Sequence, residues 1–242
     1  MDSSLALLLA SRRAPVILSV AFPAIWARNT ERHVRMDFRD RHTARIIFFT
    51  MRLWLMRHCE TLAPADSIVG ATDIALSPQG ILRAQTLAKP LQRYRFDNVY
   101  CSNMSRALQT ARHALPRHTN AIIIKEELRE FDFGVFEGKS KRVFRAASRL
   151  FTKTGQSVPN GDNMLDFKKR VQNCVREIIR TNKDARNVMA VCHHEVIKAI
   201  LELTDLPSES IGNLQIDYGS ILLIEITAKM TYRGSFNERF SA

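Results

Sequence analysis

The alternation of short apolar runs with amphipathic segments after residue 50 is the feature that most restricts how this chain can fold. Residues 52–56 form an apolar run rich in strand-forming side chains, and residues 78–93 repeat apolar side chains at helical spacing. Strand and helix patterns continue to alternate as far as residue 226. This alternation predicts an α/β fold in which a largely parallel central sheet carries helices on both faces.

The other segments extend this pattern. Further strands are predicted at residues 96–101, 121–124, 187–192 and 219–226, and further helices at residues 103–115, 139–153, 162–180 and 195–203. Ser77 precedes a proline at the first position of a predicted helix, which is typical of a helix N-cap. Ser102 is predicted to cap the helix that follows it.

The first fifty residues follow no such alternation. They contain two apolar stretches, residues 5–10 and 15–26, and both are shorter than the ~20 residues that span a bilayer. Residues 28–45 are rich in arginine with acidic residues mixed in. We therefore expect residues 1–50 to be a poorly ordered N-terminal extension with no membrane segment, and residues 51–242 to form the folded domain.

The charge of the chain bears on its partners. Its formal net charge is +12, which favours anionic ligands. The basic residues are spread along the sequence, however, and no Lys/Arg block is interleaved with aromatic residues as in single-strand-binding surfaces. We therefore expect no nucleic-acid partner.

The cysteines indicate neither a disulfide framework nor a metal site. Cys59, Cys101, Cys174 and Cys192 form no C-x-x-C pair, and all lie in segments that read as parts of a core. No His, Asp or Glu cluster has the spacing of metal ligands. Reduced thiols in a cytoplasmic protein without a metal are the simplest interpretation.

Two predicted strands end in a histidine. Arg57 and His58 follow the first strand, and His193 follows the strand at residues 187–192. Arg106 lies in the first turn of a predicted helix, where the helix dipole disfavours a cation unless an anion is bound. Because ligands of such sheets bind beyond the carboxyl ends of the strands, these side chains are consistent with an anion site. The alternative is that the histidines are structural and Arg106 is an exposed helix residue.

Five segments of the chain resemble, in the same order, the signature segments of the histidine phosphatase superfamily, in its phosphoglycerate mutase-like branch. They cover residues 57–61 (RHCET), 70–80, 100–111, 128–138 and 191–198. The sequence from Met51 onward looks most like the α-ribazole phosphatase group within this superfamily. The resemblance implies a phosphoglycerate mutase-like fold for residues 51–242, and a phosphomonoesterase that needs no cofactor.

The resemblance also implies roles for individual residues. His58 would attack phosphorus and become phosphohistidine, while its other ring nitrogen donates to a backbone carbonyl. Glu130 would protonate the leaving group and later deprotonate water. His193 would be the second catalytic histidine, in its protonated form.

Substrate binding would depend on a further set of residues. It comprises Arg57, Arg106, Glu60 and Thr61. The implied substrate is a small phosphorylated metabolite, with α-ribazole 5′-phosphate as one candidate. We expect a monomer or homodimer.

Three positions depart from the family's pattern. Cys59 replaces a glycine and is expected to crowd or redirect the phosphate pocket. Pro64 replaces an asparagine and removes a donor. His194 and Glu195 replace the Gly-Gly or Gln-Gly pair that usually follows the second histidine, and the Glu195 carboxylate would repel phosphate if it pointed inward. These changes leave two alternatives open: phosphoglycerate mutase-type phosphoryl transfer, and a catalytically weak pseudoenzyme that binds phosphorylated ligands.

Overall fold

The computed structural model describes residues 35–37, 45–47, 50–154, 156–227 and 229–235. The chain divides into two compact units, residues 1–49 and 50–242. In the first unit, strands β1 (Arg35–Asp37) and β2 (Arg45–Ile47) pair antiparallel; neither was among the predicted strands. The apolar stretches at residues 5–10 and 15–26, and most of the segment expected to be poorly ordered, lie outside the described residues.

The second unit confirms the predicted alternation and extends it. Its elements are β3 (Met51–Arg57), α1 (Pro78–Leu91), β4 (Asn98–Cys101), α2 (Ser105–Ala114), β5 (Ile122–Ile124), α3 (Lys141–Thr154), α4 (Met164–Thr181), β6 (Asn187–Cys192), α5 (His194–Leu201), α6 (Ser208–Asn213), β7 (Ile221–Ile226) and β8 (Met230–Ser235). Short 3₁₀ helices lie at Pro116–Ala121, Glu126–Leu128 and Gly134–Phe136. The sequence pattern did not predict α6 or β8.

The strands of this unit form one six-stranded sheet in the order β5-β4-β6-β3-β7-β8. β5, β4, β6 and β3 run parallel, whereas β7 and β8 are antiparallel to their neighbours. The prediction of a largely parallel sheet is thus confirmed. The antiparallel edge was not predicted, because an apolar run identifies a strand but not its direction.

The central strand β3 divides the core. Leu53 and Leu55 pack on one face of the sheet against α4 and α5, and Trp54 and Met56 pack on the other face against α1 and α2. Successive side chains of a strand point to opposite faces, so one short apolar run serves two cores. Helices on both faces are confirmed. In the described part of the chain, none of the helices is both long enough and apolar enough to cross a bilayer.

One of the two predicted helix caps is correct. Ser77 Oγ accepts the N–H of Gly80, 3.0 Å away, at the start of α1. Ser102 does not cap α2, which begins only at Ser105; instead Asp73 Oδ1 accepts the N–H of Ser105 at 2.8 Å. The cap comes from a distant loop, which local sequence could not indicate.

Candidate active site

The ends of two neighbouring parallel strands place His58 and His193 side by side. Arg57 lies opposite Cys192 in the register of β3 and β6, and each histidine is the next residue of its strand. The ring centroids are 5.1 Å apart, with an angle of 58° between the ring planes. The two strand-end histidines therefore lie side by side at one edge of the sheet.

His58 is held in one tautomer. Its Nδ1 lies 2.8 Å from the carbonyl oxygen of Cys59, and because a carbonyl only accepts, Nδ1 carries the hydrogen and Nε2 keeps a lone pair. Burial lowers the pKa of His58 well below its ordinary value, and the charges of Arg106 and Arg57 lower it further. The surroundings of His58 therefore favour the neutral imidazole at neutral pH.

His193 is completely buried, and its surroundings also favour the neutral form. Nε2 lies 2.8 Å from Ser102 Oγ, whereas Nδ1 has no hydrogen-bond partner among the described residues. Burial lowers the pKa of His193 well below its ordinary value, and His58 and the two arginines act in the same direction. The protein groups thus disfavour the protonated His193 that we expected; a bound phosphate dianion would act in the opposite direction.

Both predicted arginines act on this pair of histidines, since their charges lower the pKa values of both. Arg106 is completely buried, and its terminal nitrogens donate to the carbonyls of Thr72 at 2.8 Å and Gly70 at 2.6 Å. Arg57 donates to the carbonyl of Ile216 at 2.6 Å. The Nε atoms of both arginines are buried and have no partner among the described residues.

Glu130 is the buried carboxyl group of the site. One oxygen accepts the N–H of Phe131 at 3.1 Å, and the other accepts the N–H of Glu195 at 3.3 Å. Burial raises the pKa of Glu130, and the charge of Glu195 raises it further. A raised pKa is what a general acid requires near neutral pH. The contribution of Glu195 was not expected from the sequence.

The other two predicted binding residues, Glu60 and Thr61, differ from each other in exposure. The side chain of Glu60 is exposed, and its backbone carbonyl accepts the N–H of Ser77 at 3.0 Å. Thr61 is buried and pairs with Leu76 in an isolated bridge. Their roles in substrate binding remain predictions. The described part of the chain has no group of three or more His, Cys, Asp or Glu residues that could hold a metal.

Two of the departures from the family's pattern are accommodated locally. The side chain of Cys59 is buried in the core with Leu87 on the α1 side of the sheet, which argues against the expected crowding. Burial raises the pKa of this thiol to about 11. The carboxylate of Glu195 pairs with Nδ1 of His194 at 2.8 Å.

Tyr218 borders the site and was missed by the sequence reasoning. Its ring centroid lies 4.2 Å from Cζ of Arg57 and 5.5 Å from the ring of His58, and 38% of the residue is exposed. The turn before β7 brings it there, with the N–H of Arg57 donating to the carbonyl of Ser220 at 2.9 Å. Only the antiparallel pairing of β7 with β3 could have indicated this position.

Comparisons with known proteins agree with this geometry. The sequence profile of the histidine phosphatase superfamily (branch 1) matches residues 53–238. The adenosylcobalamin/alpha-ribazole phosphatase of Escherichia coli (strain K12) is 30% identical in an alignment of 197 residues that covers 78% of this chain and 97% of that protein. The 2,3-bisphosphoglycerate-dependent phosphoglycerate mutase of Cytophaga hutchinsonii is 28% identical, over 66% of this chain and 80% of the mutase.

The fold of solved relatives agrees as well. The crystal structure of the alpha-ribazole phosphatase from Shigella flexneri matches with a TM-score of 0.65 and 31% identity, covering 76% of this chain and 95% of that one. The profile match extends over most of the chain, and it includes the strand-end histidines and both arginines. This chain therefore belongs to branch 1 of the histidine phosphatase superfamily.

Proposed function

We propose that this histidine phosphatase hydrolyses phosphate monoesters through a phosphohistidine intermediate on His58. One observation carries the proposal: three buried nitrogens, of one of the paired imidazoles and of the two arginines whose charges act on them, have no hydrogen-bond partner among the described residues. They are Nε of Arg57, Nε of Arg106 and Nδ1 of His193. Buried polar groups are nearly always hydrogen-bonded, and the oxygens of a phosphoryl group are strong acceptors that match arginine donors.

In the first step, the lone pair on His58 Nε2 forms a bond to phosphorus while the bond from phosphorus to the ester oxygen breaks. The electrons of that bond go to the leaving oxygen, which takes a proton from Glu130. The carbonyl of Cys59 stabilises the positive charge that the ring acquires, because it accepts from Nδ1. Arg57 and Arg106 stabilise the equatorial oxygens of the transition state.

In the second step, water attacks phosphorus and Glu130, now a carboxylate, takes its proton. The bond between nitrogen and phosphorus breaks, which returns His58 to its neutral form and releases inorganic phosphate. General acid–base assistance of this kind contributes ~10²–10⁴-fold. The carboxyl group of Glu130 thus has the same position and opposite protonation states in the two steps.

Ser102 orients His193 in this proposal. Its Oγ accepts the N–H of Met104 at 3.3 Å, which leaves the hydroxyl hydrogen available to donate to Nε2 of His193. The ring hydrogen is then on Nδ1, the nitrogen without a partner among the described residues. This assignment gives a neutral His193 a donor for a phosphoryl oxygen.

The substrate class we propose is a small phosphorylated metabolite, with α-ribazole 5′-phosphate as the first candidate. The names of the Escherichia coli and Shigella flexneri relatives support this candidate, at 30% and 31% identity. We also propose a cytoplasmic location, which the buried free thiols of all four cysteines support. The expected oligomeric state, a monomer or a homodimer, stays a prediction.

A generic aryl phosphate and a panel of phosphorylated metabolites test this function. We expect turnover by the wild-type protein, none by His58→Ala, and an acid-labile phosphate on the wild-type protein after rapid quenching with labelled substrate. Turnover by His58→Ala equal to that of the wild type, or a quenched enzyme without acid-labile label, would contradict the mechanism.

The same panel separates the alternatives. Similarity to the Cytophaga hutchinsonii mutase favours phosphoryl transfer as the second candidate, and that activity would convert one phosphoglycerate into another without releasing phosphate. A pseudoenzyme would bind phosphorylated ligands while wild type and His58→Ala are equally inactive. The position of Cys59 in the core removes one of the reasons for expecting a pseudoenzyme.

A further inference from the structure

The loop of residues 70–73 holds the arginine at the start of α2. The carbonyls of Gly70 and Thr72 accept from the two terminal nitrogens of Arg106, at 2.6 and 2.8 Å. Asp73 accepts the N–H of Ser105 at 2.8 Å and its hydroxyl at 2.6 Å. The orientation of the Arg106 guanidinium therefore depends on the conformation of this loop.

The carboxylate of Glu137 accepts hydrogen bonds from the N–H groups of the same loop. One carboxylate oxygen accepts the N–H of Gly70 at 3.1 Å, the N–H of Thr72 at 3.4 Å and the Thr72 hydroxyl at 2.7 Å. The other oxygen accepts the N–H of Ala71 at 3.0 Å and the N–H of Phe133 at 3.1 Å. The loop is thus bound on two sides, with its carbonyls to Arg106 and its N–H groups to Glu137.

Both the ionised state of Glu137 and the absence of a side chain at Gly70 favour this arrangement. Burial raises the pKa of Glu137, but the hydrogen bonds from Thr72, Gly70 and the other donors outweigh burial, and the pKa is lowered overall. An ionised carboxylate accepts at both oxygens, whereas an amide replaces one acceptor by a donor. A Cβ atom at Gly70 would lie 2.4 Å from the Glu137 carboxylate and 2.1 Å from the carbonyl oxygen of Phe131, so the close approach requires glycine.

We propose that Glu137 is a positioning residue for the phosphatase reaction, which orients the carbonyls of residues 70–72 and through them the Arg106 guanidinium. The inference rests on the function proposed for the pocket, since it gives Arg106 the phosphoryl group as its ligand. Glu137 itself need not touch the substrate. Its effect reaches Arg106 through two sets of hydrogen bonds, the first between Glu137 and the loop and the second between the loop and Arg106.

A double-mutant cycle tests this chain of contacts. We expect Glu137→Gln and Glu137→Ala to lower kcat/KM about 10-fold or more, and to raise the inhibition constant of inorganic phosphate in parallel, because hydrogen bonds to charged groups are the strong ones. In an Arg106→Ala background, the same substitutions should change kcat/KM by no more than about 2-fold, since residues that act through one another are not additive. Glu177→Gln, which removes an exposed carboxylate paired with Lys125, is the matched control.

Equal losses in the wild-type and Arg106→Ala backgrounds would overturn the proposal, as would a Glu137→Gln variant with unchanged kcat/KM and unchanged phosphate inhibition. Thermal unfolding of each variant separates a folding defect from a positioning defect, and Glu137→Gln carries the test if Glu137→Ala does not fold. If the wild type proves inactive, the proposed function fails by itself. The same cycle is then measured by calorimetry as the affinity for inorganic phosphate. A loss of affinity on Glu137→Gln that occurs only when Arg106 is present supports the positioning role. Additive losses of affinity from the two substitutions overturn it.

Discussion

Glu195 meets Glu130 through its backbone, because its N–H donates to a carboxylate oxygen of Glu130 at 3.3 Å, while its own carboxylate pairs with His194. After burial, the negative charge of Glu195 is the largest influence that raises the pKa of Glu130. The expected repulsion between Glu195 and phosphate thus has a counterpart within the protein. It favours the protonated form of the carboxyl group that we propose as the general acid.

The Glu195→Gln variant removes this charge and keeps the backbone donor. The pKa of Glu130 should then fall, so Glu130 loses its proton at a lower pH. We expect the alkaline limb of the pH profile of kcat/KM to move to lower pH for a substrate with an alkyl leaving group, which needs protonation. A matched profile of Glu209→Gln, an exposed glutamate of α6, should coincide with that of the wild type. An unmoved alkaline limb in Glu195→Gln would refute the electrostatic role.

The acidic limb of the same profile should report His58. Burial and the two arginines lower the pKa of His58 well below its ordinary value of 6.5. We therefore expect His58, the proposed nucleophile, to stay neutral as the pH falls through 6.5 and activity to decline only at lower pH. An NMR titration of the imidazole signals, assigned with His58→Gln, checks the ring directly. A His58 signal that titrates at or above its ordinary pKa would contradict this prediction.

The buried state of His193 should make stability depend on pH. The pKa of His193 is lowered in the folded state, so below the ordinary histidine pKa the unfolded state binds the proton more readily and the free energy of unfolding falls. Each such group contributes at most about 1.4 kcal/mol per pH unit. We expect the wild type to lose stability relative to His193→Gln as the pH falls from about 7 to about 5.5.

Urea unfolding at several pH values measures this effect. His113→Gln, a substitution on α2 outside the pocket, is the control and should follow the wild type at every pH. Inorganic phosphate should reduce the effect for the wild type, because a bound dianion favours the protonated imidazole. Parallel stability curves for the wild type and His193→Gln would show that His193 is not held neutral by the fold.

The ring of Tyr218 should support substrate binding through Arg57. Its centroid lies 4.2 Å from the guanidinium carbon, and such contacts contribute ~0.5–1 kcal/mol at exposed sites. Tyr218→Leu should therefore raise KM and the inhibition constant of phosphate by roughly 2- to 5-fold, while Tyr218→Phe should stay close to the wild type. Steady-state kinetics with phosphate as inhibitor distinguish the two. If Tyr218→Phe raises KM and the inhibition constant as much as Tyr218→Leu does, the hydroxyl and not the ring is responsible.

Much of the site could be predicted because its residues follow strands and helices that the local sequence pattern identifies. His58 and His193 come directly after two apolar strand patterns, and the carboxyl ends of parallel neighbours meet at one edge of the sheet. Arg106 was indicated by its place in the first turn of a predicted helix, and Glu130 was found through the resemblance of its segment to a known family. The neutral state of His193 was not found, because it depends on burial and on charges contributed by distant segments.

The amino-acid sequence was enough to predict the alternation of strands and helices from Met51 to residue 226, the two strand-end histidines, and the segments that identify the family. The packing of Cys59 in the core, the contact of Tyr218 with Arg57, and the hydrogen bonds from Glu137 to the loop that binds Arg106 became visible only in the folded structure. The difference follows from the range of the interactions. Periodicity and capping act over a few residues, whereas burial, charge and hydrogen bonding act between whichever groups the fold brings together.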